Sequence, residues 1–318
     1  MAGWAIPERG RVVFSSSGDL TRATGAESSG SQSSFLSLLG TAAENLFATL
    51  LPSNCRLCSA PLSRISRLPV CDACLAAMHP IFGVVCGVCG ERLASPYMVS
   101  EGVARCGACQ RLEPLFAKAV AYGSYEGGLR ELIHLLKYEQ VRPAAGVLGR
   151  MLGEAIARLA SKLDQALPLV VPVPLHAAKL RQRGFNQSEL IARAALKSPA
   201  LSMMSWPLHA SMLERTRATE SQTGLTRHQR QENVRGAFRV LNSQTVAGRA
   251  VLLVDDVFTT GTTVSECARV LRKAGAAQVW VATVARVLRP EAAFAVPENP
   301  TGETEEDKSE PRAMAARV

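Results

Sequence analysis

The run Val251-Leu252-Leu253-Val254-Asp255-Asp256-Val257-Phe258-Thr259-Thr260-Gly261-Thr262-Thr263 constrains this chain more than any other stretch. Four consecutive apolar residues read as a strand buried on both faces, as in a parallel sheet. Two carboxylates sit at its carboxyl end, and a short loop of hydroxyls with one glycine follows. Val264, Cys267, Ala268 and Leu271 then recur at helical spacing. In open α/β sheets, ligands bind beyond the carboxyl ends of the strands. A hydroxyl-rich loop opening a helix offers N–H groups and the positive helix end to a phosphate. Asp255 and Asp256 can accept hydrogen bonds from vicinal sugar hydroxyls. The run describes a cradle for a ribose carrying a 5′-phosphate.

The second constraint is four two-residue-spaced cysteine pairs: Cys55/Cys58, Cys71/Cys74, Cys86/Cys89 and Cys106/Cys109. Each pair can aim two thiolates at one metal from a single tight turn, and two pairs complete a tetrahedral four-sulfur shell. Gaps of 12 and 16 residues separate the first pair from the second and the third from the fourth, which suits hairpin-like ribbons. Eight ligands imply two structural zinc ions. Spacing leaves open which pairs share an ion; sequential pairing is the working assignment. Eight cysteines fill both four-sulfur shells, so neither ion has the open position of a catalytic metal. Cys267 stands apart, as a small buried hydrophobe of the helix after the acidic pair.

Around these anchors the chain of 318 residues divides as follows. Residues 1–34 are rich in Ser, Gly, Thr and Ala and read as disordered. Residues 35–51 read as an amphipathic helix, 52–112 as a double zinc ribbon, and 113–288 as an α/β domain. Residues 289–318 read as a disordered tail. Within the α/β part, strands are expected at Ala119–Tyr122, Leu169–Pro174, the acidic run and Gln278–Val287. Helices are expected around Leu129–Leu136, Val147–Leu159, from about Ser188 (as its N-cap), and up to Ala274 with Gly275 as C-cap. Strand–helix alternation implies a parallel sheet. No apolar run reaches the roughly 18 residues of a membrane-spanning helix. The N-terminus lacks the apolar core of a secretory signal, and cysteines spaced for metal rather than disulfides suit a cytoplasmic protein.

The net charge of +9 matters most where it is concentrated. One basic stretch runs Val173-Pro174-Leu175-His176 through Lys179, Arg181, Arg183, Gly184, Phe185 and Asn186, and reads as a strand-to-helix loop on the rim that carries Asp255. Another, from Glu214 to Arg239, holds six arginines against three glutamates and precedes the acidic strand. Long, polar and arginine-rich, it has the character of a mobile lid that closes over a diphosphate.

The acidic run resembles the signature of type I phosphoribosyltransferases for 5-phosphoribosyl 1-diphosphate (PRPP): four hydrophobic residues, two acidic, two variable, then Thr-(Ser/Thr)-Gly-x-Thr. With the paired-cysteine ribbons, the Leu135-Leu136-Lys137-Tyr138 segment, Pro172-Val173-Pro174-Leu175 and Arg183-Gly184-Phe185-Asn186-Gln187, the chain from 44 to 288 is similar to the ComF family of competence-associated bacterial proteins. The resemblance implies that Asp255 and Asp256 contact the ribose hydroxyls, and that Thr259, Thr260, Gly261, Thr262 and Thr263 hold the 5′-phosphate. It further implies that Arg183, Gly184, Phe185 and Asn186 line the diphosphate, and that Arg215 and Arg217 act from the flexible loop. Magnesium would accompany PRPP. Residues near 115–140 and 200–212 would build the acceptor side. In one respect the chain departs from the family: Ser59, not glycine, follows Cys58.

Three functions fit this reading: a PRPP-dependent phosphoribosyltransferase, a non-catalytic single-stranded DNA-handling factor of the competence machinery, and a PRPP-sensing regulator. An aromatic content of 5% leaves few platforms for stacking bases, which weakens the second.

Overall fold

The computed structural model describes residues 53–62, 64, 66–93, 104–159, 163, 167–218 and 227–289. The expectations for 1–34, the helix over 35–51 and the tail from 290 fall outside them. Nearly all described residues belong to one compact unit, Asn54–Pro61 together with Ser66 onward.

Two zinc-ribbon halves come first and are built alike. Cys55 and Cys86 open tight turns, each closed by an antiparallel bridge, Asn54 with Pro61 and Val85 with Arg92. The second pair of each half sits on a short helix: α1 (Asp72–Ala76) is capped by Cys71, and α2 (Gly107–Arg111) by Cys106. Gly90, directly after Cys89, has φ +72, and Ser59, directly after Cys58, has φ +61. The departure from glycine at Ser59 therefore keeps the turn, at about 1 kcal/mol of left-handed strain.

The α/β part is a four-stranded parallel sheet in the order β1 (Lys118–Ser124), β6 (Gln278–Arg286), β5 (Ala250–Phe258), β2 (Leu169–Pro172). The acidic run is an inner strand: Asp255 lies opposite Thr283 of β6, and Val254 opposite Pro172 of β2. Both sheet edges are covered, which removes their exposed hydrogen-bonding groups. Ribbon backbone lies along β1, where the Ala119 N–H donates to the Val88 carbonyl at 2.7 Å and the Ile81 N–H to Tyr122 at 2.7 Å. At the other edge the Val170 N–H donates to the Pro207 carbonyl at 2.9 Å.

Residues of alternating parity face opposite sides of a strand. Leu169, Val171, Val251, Leu253, Val279 and Val281 share a core with Val264, Cys267 and Leu271 of α9 (Thr262–Lys273). The sulfurs of Cys86, Cys89, Cys106 and Cys109 belong to that same core, and those of the first ribbon half do not. α4 (Ala144–Ala157) packs on β1 and β6, and α6 (Gln187–Leu196) on β5 and β2. α4 and α6 meet almost backbone to backbone; a Cβ on Gly149 would stand 2.3 Å from that of Ala194. α3 (Gly127–Tyr138) precedes α4, and α5 (Ala177–Arg183) lies between β2 and α6.

A small antiparallel ribbon, β3 (Leu213–Arg215) with β4 (Phe238–Val240), closes the root of the arginine-rich stretch. α7 (Arg227–Val234) lies inside that stretch, and α8 (Ser243–Val246) leads from it to β5. Residues 219–226, the centre of the expected lid, lie outside the described residues.

Three local expectations are corrected. The stretch after β2 is not an open loop, because α5 occupies it, capped by the His176 side chain accepting from the Ala178 N–H. The next helix is capped by Asn186, not Ser188, since the Asn186 carboxamide oxygen accepts from the Ser188 N–H. After α9 the cap is Ala274, and Gly275 lies one residue beyond it at φ +93.

Candidate functional site

Beyond the carboxyl ends of β5 and β2 lies a cleft of about 500 Å³. Asp255 and Asp256 line its floor, with Lys137, Lys179, Arg183 and Arg215 around them and Thr259 and Thr263 beside them. The two carboxylates are 9% and 5% exposed. Being consecutive on a strand, they find different partners. Asp255 Oδ1 accepts from the Ser188 hydroxyl at 2.9 Å and from the Asp256 N–H at 2.9 Å. Asp256 Oδ2 pairs with the Lys137 ammonium, delivered by the last turn of α3. A carboxylate has about four acceptor positions, so these contacts leave room for sugar hydroxyls.

Their protonation states diverge. Burial, and then the Asp256 charge, push the Asp255 carboxyl up to about 8. Burial opposes charge on Asp256 too, but the Lys137 ammonium overrides it and holds that carboxyl below the usual range. Near neutral pH, Asp255 is thus largely protonated and Asp256 is balanced by Lys137. Lys179, Arg183 and Arg215 then leave the cleft positive, the polarity that draws in a phosphate-rich ligand. Burial and the neighbouring Arg183 lower the Lys179 ammonium, consistent with crowded cations awaiting an anion.

This arrangement predicts a pH signature. A carboxyl whose folded pKa is raised stabilises the fold below its unfolded pKa, and that contribution fades as pH rises toward about 8. The native chain should therefore lose stability between pH 5 and 8 on this account, and Asp255→Asn should flatten that slope. Chemical denaturation at stepped pH measures it; equal slopes in the two proteins would remove Asp255 as the titrating group.

The hydroxyl loop Thr259–Thr263 is set by one glycine. Gly261 caps α9 at φ +79, and a Cβ there would approach Phe258 Cζ to 2.6 Å. Thr260 and Thr262 bond to each other through their hydroxyls at 2.6 Å.

Not every expected residue meets the cleft. Of Arg183, Gly184, Phe185 and Asn186, Arg183 alone lines it, held by the Gln187 side chain at 2.5 Å. Gly184 ends α5 in the left-handed region, Phe185 is buried beneath the Arg142 guanidinium at 5.0 Å, and Asn186 caps α6. Arg215 lines the cleft. Arg217 instead donates to the carbonyls of Asn233 and Arg235 at 3.0 and 3.1 Å, joining the two ends of the arginine-rich stretch. Thr260, Gly261 and Thr262 form the turn between the lining residues Thr259 and Thr263. Sequence reasoning overlooked Lys137 and Ser188 as site residues. Lys137 could have been suspected as a cation closing an apolar helix face; Ser188 carried no local signal.

The eight paired cysteines form two clusters, Cys55/Cys58/Cys71/Cys74 and Cys86/Cys89/Cys106/Cys109, with sulfurs within 4.8 Å of one another in each. Sequential pairing is thereby established. Tetrahedral zinc with Zn–S bonds of about 2.3 Å requires sulfur–sulfur edges near ~3.8 Å. The edges found are 3.9 Å for Cys55–Cys74, 3.7 Å for Cys58–Cys71 and 3.6 Å for Cys89–Cys106. Both clusters fit structural zinc and offer it a full sulfur shell. The hydrogen bond from Cys89 holds the Cys86 thiol down to about 4 and raises that of Cys89, as expected where thiols too close to ionise together share protons. Cys267 is fully buried in α9.

Residues 208–308 match the phosphoribosyl transferase domain family, and residues 46–110 the double zinc ribbon domain family. The chain is 32% identical to the DNA utilization protein YhgH of Salmonella typhi, across 75% of this chain and 99% of that one. It is 30% identical to Competence protein F of Haemophilus influenzae, across 68% and 96%. It is 25% identical to Competence protein ComFC of Bacillus subtilis, across 65% and 80%.

Proposed function

Since the chain belongs to the ComF family, with a zinc ribbon preceding a phosphoribosyltransferase domain, we propose that its cleft binds PRPP with magnesium and transfers the phosphoribosyl group to a nitrogen acceptor. The observation that carries this reading is the buried Asp255–Asp256 pair set beside a glycine-hinged hydroxyl loop in a positive cleft. In it the Thr259–Thr263 loop and the start of α9 hold the 5′-phosphate. Asp255 and Asp256 accept from the ribose hydroxyls. Arg183, Lys179 and Arg215 face the diphosphate, where stabilising the departing charge lowers the barrier. Magnesium bound with the diphosphate supplies further neutralisation of that charge. Arg217 acts indirectly, by holding the lid's roots.

The relatives' names support a place in DNA utilisation or competence, and single-stranded DNA or the competence machinery are the partners this reading proposes. Cysteines that bind metal rather than each other suit a reducing compartment, so the reading places the protein in the cytoplasm. Among the described residues no helix is long and apolar enough to cross a membrane.

Calorimetric titration of PRPP and magnesium into the zinc-loaded protein tests the reading, beside an Asp255→Asn/Asp256→Asn variant. Micromolar-range binding, weakened by about a hundredfold or more in the variant, is expected from turning one acceptor oxygen of each carboxyl group into an amide donor, at about 1.5 kcal/mol each. Absence of binding to folded, zinc-replete protein would refute it.

A further inference from the structure

Arg286 is a buried charge for which the reaction has no use. It ends β6, opposite Phe258 of β5, and is 4% exposed. Its Nη1 donates to the Cys89 carbonyl at 2.6 Å, and its Nη2 to Glu91 Oε2 at 2.9 Å, with Cys89 Sγ at 3.7 Å. Glu91 is itself 6% exposed and also accepts from the Arg289 N–H at 3.2 Å. The Cys86 N–H donates to the Glu91 carbonyl at 2.7 Å, so both residues that Arg286 grips belong to the turn of the second four-cysteine site.

The other face of the guanidinium lies on the Phe258 ring, 4.4 Å from its centroid. Phe116 braces that ring edge-on at 6.2 Å. Phe258 in turn lies directly beneath Gly261, where even one added carbon would collide with it. An uninterrupted line of contacts thus runs from the Cys86–Cys89 turn through Arg286 and Phe258 to the hinge of the phosphate loop. The Cys55 site has no counterpart in this core. A buried ion pair is a poor source of net stability, because desolvation offsets its attraction. What this one supplies is placement: a rigid, planar group pinned at one end to the ribbon and laid flat at the other on an aromatic ring.

We propose that Arg286 is a positioning residue that couples the second four-cysteine site to the phosphate loop Thr259–Thr263, so that the loop is ordered for a sugar phosphate only while Cys86, Cys89, Cys106 and Cys109 hold their metal. The inference rests on the sugar-phosphate reading for what the loop binds, but the coupling itself does not require it.

The test uses full-length, zinc-loaded protein in four forms: native, Arg286→Lys, Arg286→Met/Glu91→Gln and Phe258→Leu. The double variant removes both buried charges together, and Phe258→Leu breaks the line at a point remote from the sulfurs. Backbone amide exchange is read over Thr259–Thr263 and, as reference, over β1 and α4. Zinc content and PRPP–magnesium affinity are measured alongside. In the double variant and in Phe258→Leu, loop amides should exchange about tenfold faster, and PRPP should bind about tenfold more weakly, while the reference amides and zinc content stay native. Arg286→Lys, which retains the charge but not the flat contact, should lie between. By reciprocity, PRPP at a fixed concentration well above its native Kd should strengthen zinc retention at the second site about tenfold less in the disrupted variants than in the native protein. Native loop exchange in a zinc-replete Phe258→Leu protein would overturn the coupling. Faster loop exchange in variants of a protein that never binds PRPP would uphold the coupling and overturn the reading of the cleft instead.

Discussion

Replacing Lys137 by methionine will destabilise the chain by about 3–5 kcal/mol, the usual consequence of removing one partner from a buried ion pair. Methionine nearly matches the lysine stem in volume, so little of the loss can be packing. What remains is Asp256, 5% exposed, beside a second carboxyl and without its ammonium. The pH dependence identifies the cause. A carboxyl with a depressed pKa adds stability above its unfolded pKa, near ~3.9, and that stability is lost as pH falls through the folded value. The difference between native and Lys137→Met protein should thus shrink as pH falls, from the raised Asp256 pKa of the variant down through the depressed one of the native protein. Adding Asp256→Asn to Lys137→Met should recover most of the loss, because both charges are then gone. PRPP affinity should fall in the single variant as well, since Asp256 shifts toward its protonated form. Denaturant unfolding at pH 7 and pH 3.5 measures the first effect. A loss below about 1 kcal/mol, no more than an average substitution brings, would mean that the ammonium is not paired in solution.

The second large effect concerns the two metal sites, which chemistry makes alike and packing makes different. Chelator titration should strip the Cys55 site first and leave the sheet folded. Stripping the Cys86 site should unfold sheet and ribbon together. Cys58 is exposed and Cys71 and Cys74 half-buried, whereas Cys86, Cys89, Cys106 and Cys109 are all buried in the core that backs β5 and α9. Structural zinc supplies about 10–16 kcal/mol to small ribbons, comparable with the whole stability of a domain at about 5–15 kcal/mol. Cys58→Ser should move the main thermal transition by no more than about 4 °C, the equivalent of ~1 kcal/mol. Cys106→Ser should abolish a cooperative transition. Equal sensitivity of the two sites would contradict the placement of the second inside the core.

Each feature that the sequence made legible depends on neighbours a few residues away. The acidic strand, its hydroxyl turn and the helix after it are one continuous pattern, and β5, Gly261 and α9 follow its order, with β5 running on past the acidic pair to Phe258. Paired cysteines announce metal sites because two ligands on one turn are a local matter. Which pairs share an ion was left open by the spacing, and the folded chain joins them in sequence order. The errors were local competitions between similar groups: Asn186 and Ser188 can both cap a helix, and Asn186, two residues earlier, takes the role and leaves the Ser188 hydroxyl to Asp255.

By itself the sequence determined that this chain has a parallel α/β domain with a sugar-phosphate signature and a double four-cysteine ribbon. Only the tertiary structure decided which distant side chains meet. Lys137 reaches Asp256 from 119 positions away, Ser188 reaches Asp255 from 67, and Arg286 reaches Cys89 from 197. It likewise divided Arg183, Gly184, Phe185 and Asn186 between cleft, turn, core and cap. The physical reason is that strand and helix periodicities record which face of an element is apolar. Which polar groups end up against that element is settled by the close packing of all elements at once.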